Sequence, residues 1–349
     1  MSDSLFLVIF LVIVLGILMF DLLVIGRKQH VVSFREAAIW SAVWISLALV
    51  FFVFLRWRGE IIHSQIHDLS SLKDHLKEFY PALSVDGLAY NDALLLFRQA
   101  LSLNFLSGYL VEETLSLDNL FVILMLLINF SVPLKLYKKI LFWGILGAVV
   151  LRFIFIFAGA ALIHRFEWIL YIFGLFLLYT GIMMMIKKDR DAAGKDMKNH
   201  FIIRFTKRIF SVEESYDSES FFLRKEGKLW ITPLLLVLIL VEFSDVLFAM
   251  DSIPAIFGIT RDPFVVFYSN IFAIIGLRSL FFLLANLKDR FRFLKTGISL
   301  LLCFIGLKLL LEHQFVNWGF KTVHSLYVIA TVIGLSILFS FLIKEKKET

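Results

Sequence analysis

Long uninterrupted apolar runs recur along the 349-residue chain and leave it little choice of environment. Stretches of about 18 residues or more, enough for an α-helix to cross roughly 30 Å of hydrocarbon, lie near 5–25, 38–55, 102–128, 139–163, 167–186, 231–257, 264–285, 295–312 and 324–343. The fold they predict is all-α, a polytopic transmembrane bundle of about nine helices. Composition agrees: 60% of residues are hydrophobic, 39 are Phe and only 18% are charged, far outside the soluble globular range. The start, MSDS before an apolar stretch, lacks the basic segment of a secretory signal and reads as a retained helix.

The surplus of basic over acidic residues, +6, does not imply nucleic acid, because the basic residues fall between the apolar runs and form no basic domain. They report topology instead. Arg27, Lys28 and Arg35, then Lys135, Lys138 and Lys139, then the segment 187–229, then Lys288, Arg290, Arg292 and Lys295, and finally Lys344, Lys346 and Lys347 alternate with loops holding only scattered Arg165, Arg261 and Lys321. By the positive-inside rule the basic loops are cytoplasmic, which sets the N-terminus outside and the C-terminus inside. The resulting organisation is two N-terminal helices (1–55), an external loop (56–101), three helices (102–186), a cytoplasmic loop (187–230), three more helices (231–312), and a last helix with a basic tail (313–349).

Within the loops, FIIRFTKRIF (201–210) has the interleaved basic and apolar pattern of an interfacial helix. FFLRKEGKLWIT (221–232) alternates about Glu226-Gly227 and reads as a small hairpin. In the external loop, His63 and His67 at i,i+4, with Asp68, could capture a metal if helical, although a solvated face is the simpler expectation. One cysteine, Cys303, permits neither a disulfide framework nor a thiolate cluster.

The chemistry concentrates in an internal repeat. EETLSLDNLFVI in the third apolar run and VEFSDVLFAMDSIPAIF in the sixth match Glu112-x5-Asp118-Asn119 with Asp245-x5-Asp251-Ser252. Leu151-Arg152 and Leu277-Arg278 follow in the next helices, and Gly181 and Gly306 in those after. A three-helix unit inverts on duplication, which predicts an inverted repeat of helices 3–5 and 6–8 with a site between the copies near the midplane. Carboxylates in lipid cost about 2.5–3.5 kcal/mol each on insertion scales, so Glu112, Asp118, Glu242, Asp245 and Asp251 require partners or a watered cavity. Six positions rotate a helical side chain by about 600° and lift it about 9 Å, so Glu112 and Asp118 do not share a face of a straight helix. Pro254 and Gly258, just after Asp251, offer a break that would let such groups converge.

The available donors are these carboxylates with Asn119, Ser252, Ser116, Ser244 and Asn270, and hard oxygen ligands favour Mn, Mg or Ca over Zn or Cu. Against the five acids stand Arg152, Arg278 and Lys308 as charge partners. The formal excess of two negative charges fits either a divalent ion or two protons. Arg152 lies deep in its helix and is expected to pair, whereas Arg278 and Lys308 sit within snorkelling reach of an interface. Gly174, Gly181, Gly276 and Gly306 read as close-packing positions.

GYLVEETLSLDNLFVI, LVEFSDVLFAMDSIPAIFGITRDPF, SNIFAIIGLRSLFFLL and FFLRKEGKLWITPL resemble the TerC/Alx family of integral membrane proteins, over about residues 100 to 310. That family, named for tellurium resistance and grouped with LysE-type transporters, is associated with manganese efflux. The resemblance implies a metal-handling set at Glu112, Asp118, Asn119, Glu242, Asp245, Asp251 and Ser252, and a bacterial inner-membrane location. The expected activity is proton-coupled export of Mn²⁺ or a similar hard divalent cation. The partners are then the metal ion, protons and the lipid bilayer, with no nucleic acid and no resident cofactor. No enzyme is expected: intramembrane aspartyl proteases carry YD and GxGD, whereas Asp118 and Asp251 stand in SLDN and AMDS. The alternative is an accessory factor serving metallation or assembly of membrane or exported proteins.

Overall fold

The computed structural model describes residues 3–20, 33–166, 168–186, 211–212, 220–225, 228–287, 293–320 and 322–342. Its helices are α1 (Asp3–Phe20), α2 (Phe34–Arg58), α3 (Leu69–Phe79), α4 (Tyr90–Asn129), α5 (Leu134–Arg165), α6 (Ile169–Ile186), α7 (Pro233–Phe257), α8 (Pro263–Leu287), α9 (Leu294–Leu310), α10 (Glu312–Asn317) and α11 (Thr322–Leu342). Each expected apolar run, among the described residues, lies mainly on one of them. Among the described residues, α2, α5, α6, α7, α8 and α11 are long and apolar enough to cross a membrane. The apolar run of α1 is shorter, Leu5–Ile17, α9 has 17 residues, and α4 carries acids inside its apolar length. Large hydrophobics such as Val12, Val50, Leu175, Ile186 and Leu335 stand exposed, as they must where lipid is the solvent.

α4 is the longest element, 40 residues without a break, or about 60 Å. It therefore takes in residues 90–101, which the hydropathy pattern assigns to a loop. The remainder of that segment is also ordered and forms a cap. A 3-10 turn (Gly59–Ile62) continues α2, and Arg98 of α4 grips Glu60 in that turn through two 2.6 Å bonds. Asp68 caps α3 by accepting the Ser71 amide at 2.8 Å, while Ser71 Oγ accepts the Asp68 amide at 3.1 Å. The Ser71 bonds hold the Asp68 carboxyl below its usual range.

His63 and His67 do not share a face. The chain around them is not helical, so the i,i+4 register never forms; His67 is exposed and His63 is buried. His63 instead faces Asp262, in the α7–α8 connection, at 2.8 Å. Burial pushes the Asp262 carboxyl up, but the nearby charges of His63 and His75 and the Phe264 amide outweigh this and hold it below the usual range.

At the other end of the bundle the expected hairpin is present. β2 (Phe222–Lys225) pairs antiparallel with β3 (Lys228–Ile231), Phe222 opposite Ile231 and Lys225 opposite Lys228, and β1 (Ser211–Val212) adds to β3 in parallel. Thr232 ends the sheet and caps α7, accepting the Leu235 amide, while Lys139 lies 4.8 Å over the Phe221 ring. Lys135, Lys138 and Lys139 belong to the first turns of α5 and not to a loop. The 201–210 segment lies outside the described residues.

Among the six central helices, α4 packs against α8 and α7, α5 against both α7 and α8, and α6 against α9. The closest approach is between α6 and α9. A Cβ on Gly306 would stand 2.7 Å from the Gly174 carbonyl oxygen, and one on Gly181 would stand 2.8 Å from that of Ser299. The positions rise along α6 as they fall along α9, so the two helices cross antiparallel. Backbone cannot retreat as a flexible side chain can. Gly306→Leu is therefore expected to lower stability by about 1–3 kcal/mol, the usual cost of overpacking, read as a fall in the unfolding temperature of the detergent-solubilised protein. Gly334→Leu, with nothing within 4 Å of its added Cβ, should leave it unchanged.

Candidate functional site

Four helices meet at one buried arginine. Arg152, on α5, is 1% exposed, yet its guanidinium is fully engaged. Nη1 donates to Glu112 Oε1 of α4, and to Asn270 Oδ1 of α8 at 2.9 Å. Nη2 donates to Asp245 Oδ1 of α7 at 3.1 Å, with Nε 3.5 Å from Oδ2. Asn119 Nδ2 adds a 2.9 Å bond to Asp245, and Ser116 Oγ donates to Glu112 Oε1 at 3.2 Å. One planar fork thus bridges carboxylates from both copies of the sequence repeat, which a flexible lysine could not do with comparable geometry.

Beside this cluster lies a cavity of about 80 Å³, lined among others by Glu112, Ser116, Asn119, Arg152, Asp251 and Ser252. It is large enough for an ion with a few waters. Helical periodicity explains the convergence. Glu112, Ser116 and Asn119 fall at i, i+4 and i+7 on α4, and Asp245 and Ser252 at i and i+7 on α7, so each set forms a stripe on one face. The carboxylate pairs six apart do not form the stripe.

No break in the helices is needed, which corrects the expectation of discontinuity at Pro254 and Gly258. α7 runs through Pro254 to Phe257. Pro254 lies within the last turn, so little helix remains for it to disrupt, and the Gly258 amide returns to the Pro254 carbonyl at 3.0 Å. Lys308 Nζ donates to the Gly258 carbonyl at 3.0 Å, a cation placed at the negative end of α7.

The other anticipated residues distribute as follows. Asp118 is on α4, but its side chain lies outside the described portion. Glu242 lies apart from the cavity lining: a Cβ on Gly147 of α5 would overlap its carboxyl, so the missing side chain there makes its room. Asp251 accepts from Thr180 Oγ1 at 3.5 Å. Arg278 is half-buried on α8, beyond Asn270. Sequence reasoning missed Thr180 and Met184, which reach the site from α6; their i,i+4 spacing was the available signal, hidden in a helix with no charge to draw attention.

A buried polar cluster, an arginine set between two carboxylates, inside a bundle of apolar helices defines an integral membrane protein with a functional core, since such groups are too costly to persist in lipid without use. The chain belongs to the integral membrane protein TerC family, whose description matches residues 97–348. It is 40% identical over 342 residues to a Photorhabdus laumondii protein provisionally named membrane-bound redox modulator Alx, covering 97% of this chain and 95% of that one. A protein of the same name from Escherichia coli K12 is 41% identical over 335 residues, 96% and 90% of the two chains. An uncharacterized membrane protein of Rickettsia bellii is 32% identical over 338 residues, 97% of each. No solved structure matches the chain.

Removing Arg152 would strand two buried carboxylates. Arg152→Met is expected to destabilise the protein by about 3–5 kcal/mol, the usual consequence of breaking a buried pair from one side. Adding Glu112→Gln and Asp245→Asn should recover part of that loss, and a thermal-unfolding mutant cycle in detergent measures both.

Proposed function

We propose that the protein exports a hard divalent cation, Mn²⁺ being the ion that the family resemblance indicates, through a proton-coupled site between α4 and α7. The observation that carries this reading is the convergence of Glu112, Asn119, Asp251 and Ser252 on a small cavity beside Arg152. These four donors are oxygens, the ligand type that suits Mn²⁺ and Mg²⁺, and the Met184 thioether stands in the same lining. Arg152 acts as a tethered counter-cation. When the ion is gone it compensates Glu112 and Asp245, and when the ion enters, their charge is shared between the two.

The reading takes α4–α6 and α7–α9 as an inverted repeat, with which the antiparallel crossing of α6 and α9 agrees, the arrangement in which exposing the site to one side and then the other requires only rocking of one copy on its counterpart. On this reading the protein lies in the bacterial inner membrane with the hairpin end in the cytoplasm and the cap outside, which the positive-inside distribution of basic residues supports. No catalytic role is assigned to any residue.

The relatives' name, redox modulator, bears on mechanism. A chain with one cysteine cannot cycle an internal dithiol, so a redox effect reached through the ion it moves is consistent with the sequence. The second reading is an accessory factor for metallation or assembly, favoured by the ordered cap and sheet that offer docking surfaces at both ends of the bundle.

Proteoliposomes of the purified protein, loaded with a Mn²⁺-sensitive dye and placed under an imposed pH gradient, decide between these. Gradient-dependent Mn²⁺ flux is expected, falling about tenfold or more, equivalent to about 1.4 kcal/mol, in Asp251→Asn and in Glu112→Gln. Flux equal to that of empty vesicles would favour the accessory role. Wild-type flux in both variants would place the site elsewhere.

A further inference from the structure

We propose a second metal site, distinct from the intramembrane cluster, in which His63, His75 and Asp262 bind a divalent ion of the zinc class and fasten the cap to the α7–α8 connection. Three separate stretches of chain meet there: the segment after the 3-10 turn, the middle of α3, and the residue before α8. One ligand atom from each lies within 4.8 Å of the others, and all three residues are buried.

Several observations point to an ion. His63 Nε2 stands 2.8 Å from Asp262 Oδ2, yet the pair lacks the alignment of an N–H···O hydrogen bond. Two lone-pair donors set around a common third body take up such a placement. The His63 and His75 rings are packed with centroids 4.3 Å apart, bringing two imidazoles to one carboxylate. Asp262 divides its work. Oδ1 accepts the Phe264 and Val265 amides at 3.0 and 3.4 Å and caps α8, which fixes Oδ2 toward the histidines. Tyr80 Oη donates to Oδ2 at 3.1 Å, an outer-shell bond of the kind that orients a ligating carboxylate.

Donors on a tetrahedral zinc at about 2.0–2.1 Å lie about 3.4 Å apart, so the widest gap must close by little more than an ångström, within the reach of imidazole rotation. Two nitrogens and one oxygen suit Zn²⁺, Co²⁺ or Ni²⁺ and differ in kind from the carboxylate-rich set in the membrane, which has no imidazole. An approach exists. Tyr80, in contact with Asp262, also lines a cavity of about 520 Å³ together with Thr260 and Lys308, so the cluster borders that space through Tyr80.

The test uses the full-length protein in detergent, stripped with a chelator and then titrated with Zn²⁺ by calorimetry and with Co²⁺ by visible absorption. One ion per chain with tetrahedral Co²⁺ bands is expected. His75→Asn, which keeps the His63–Asp262 pair, should abolish those bands and weaken Zn²⁺ binding by about 100-fold or more, beyond the loss of an outer-shell partner. Asp251→Asn and His67→Asn should leave both signals intact, which separates this site from the proposed transport site. X-ray absorption of the zinc-loaded wild type needs no variant and should show two imidazoles. Absence of imidazole scattering, absence of saturable Zn²⁺ binding, or unaltered binding in His75→Asn would overturn the proposal.

Discussion

The charge on Arg152 is the constraint around which the rest of the bundle is arranged. A guanidinium taken from water into an apolar core is tolerable only when every face of the fork is met, and here α4, α7 and α8 each supply an acceptor. Moving any one of these helices would leave a buried charge exposed to lipid, so the register of four helices, including α5 itself, is fixed by one side chain. The glycines at the α6–α9 crossing do the complementary work. They let two helices approach to backbone contact and bring Thr180 and Met184 to the edge of the same site.

Much of this was readable in the sequence because lipid imposes simple rules. Length and hydropathy located the helices, alternation located the hairpin, and the depth of Arg152 in its helix announced a partner. The stripe was less obvious. Matching carboxylates at a spacing of six drew attention to Asp118 and Asp251, while the residues that share faces are those seven apart, Glu112 with Asn119 and Asp245 with Ser252. The expected break at Pro254 is not there, and an intact 3.6-residue period already brings Glu112, Ser116 and Asn119 onto one face of α4, and Asp245 and Ser252 onto one face of α7.

The cap was the least legible part. Residues 56–101 are mixed in charge and carry no long apolar run, so hydropathy has nothing to say about them. What orders them is specific and distant in sequence: Arg98 on Glu60, and His63, His75 and Tyr80 around Asp262. A spacing rule that looks four residues ahead cannot see a partner nearly two hundred residues away. His67 was therefore a local coincidence, and the acid that matters stands beyond the sixth apolar run.

The length of α4 has a mechanical side. Because it runs unbroken from the cap to the polar cluster and past it, α4 is a lever with its fulcrum near Asn119 and a long arm reaching Tyr90. A tilt of about 10° at the fulcrum swings the far end through about 8 Å, given 1.5 Å of rise per residue. Small adjustments around the buried arginine are thereby magnified at the surface, and any grip on the cap is felt, demagnified but with greater force, at the carboxylates.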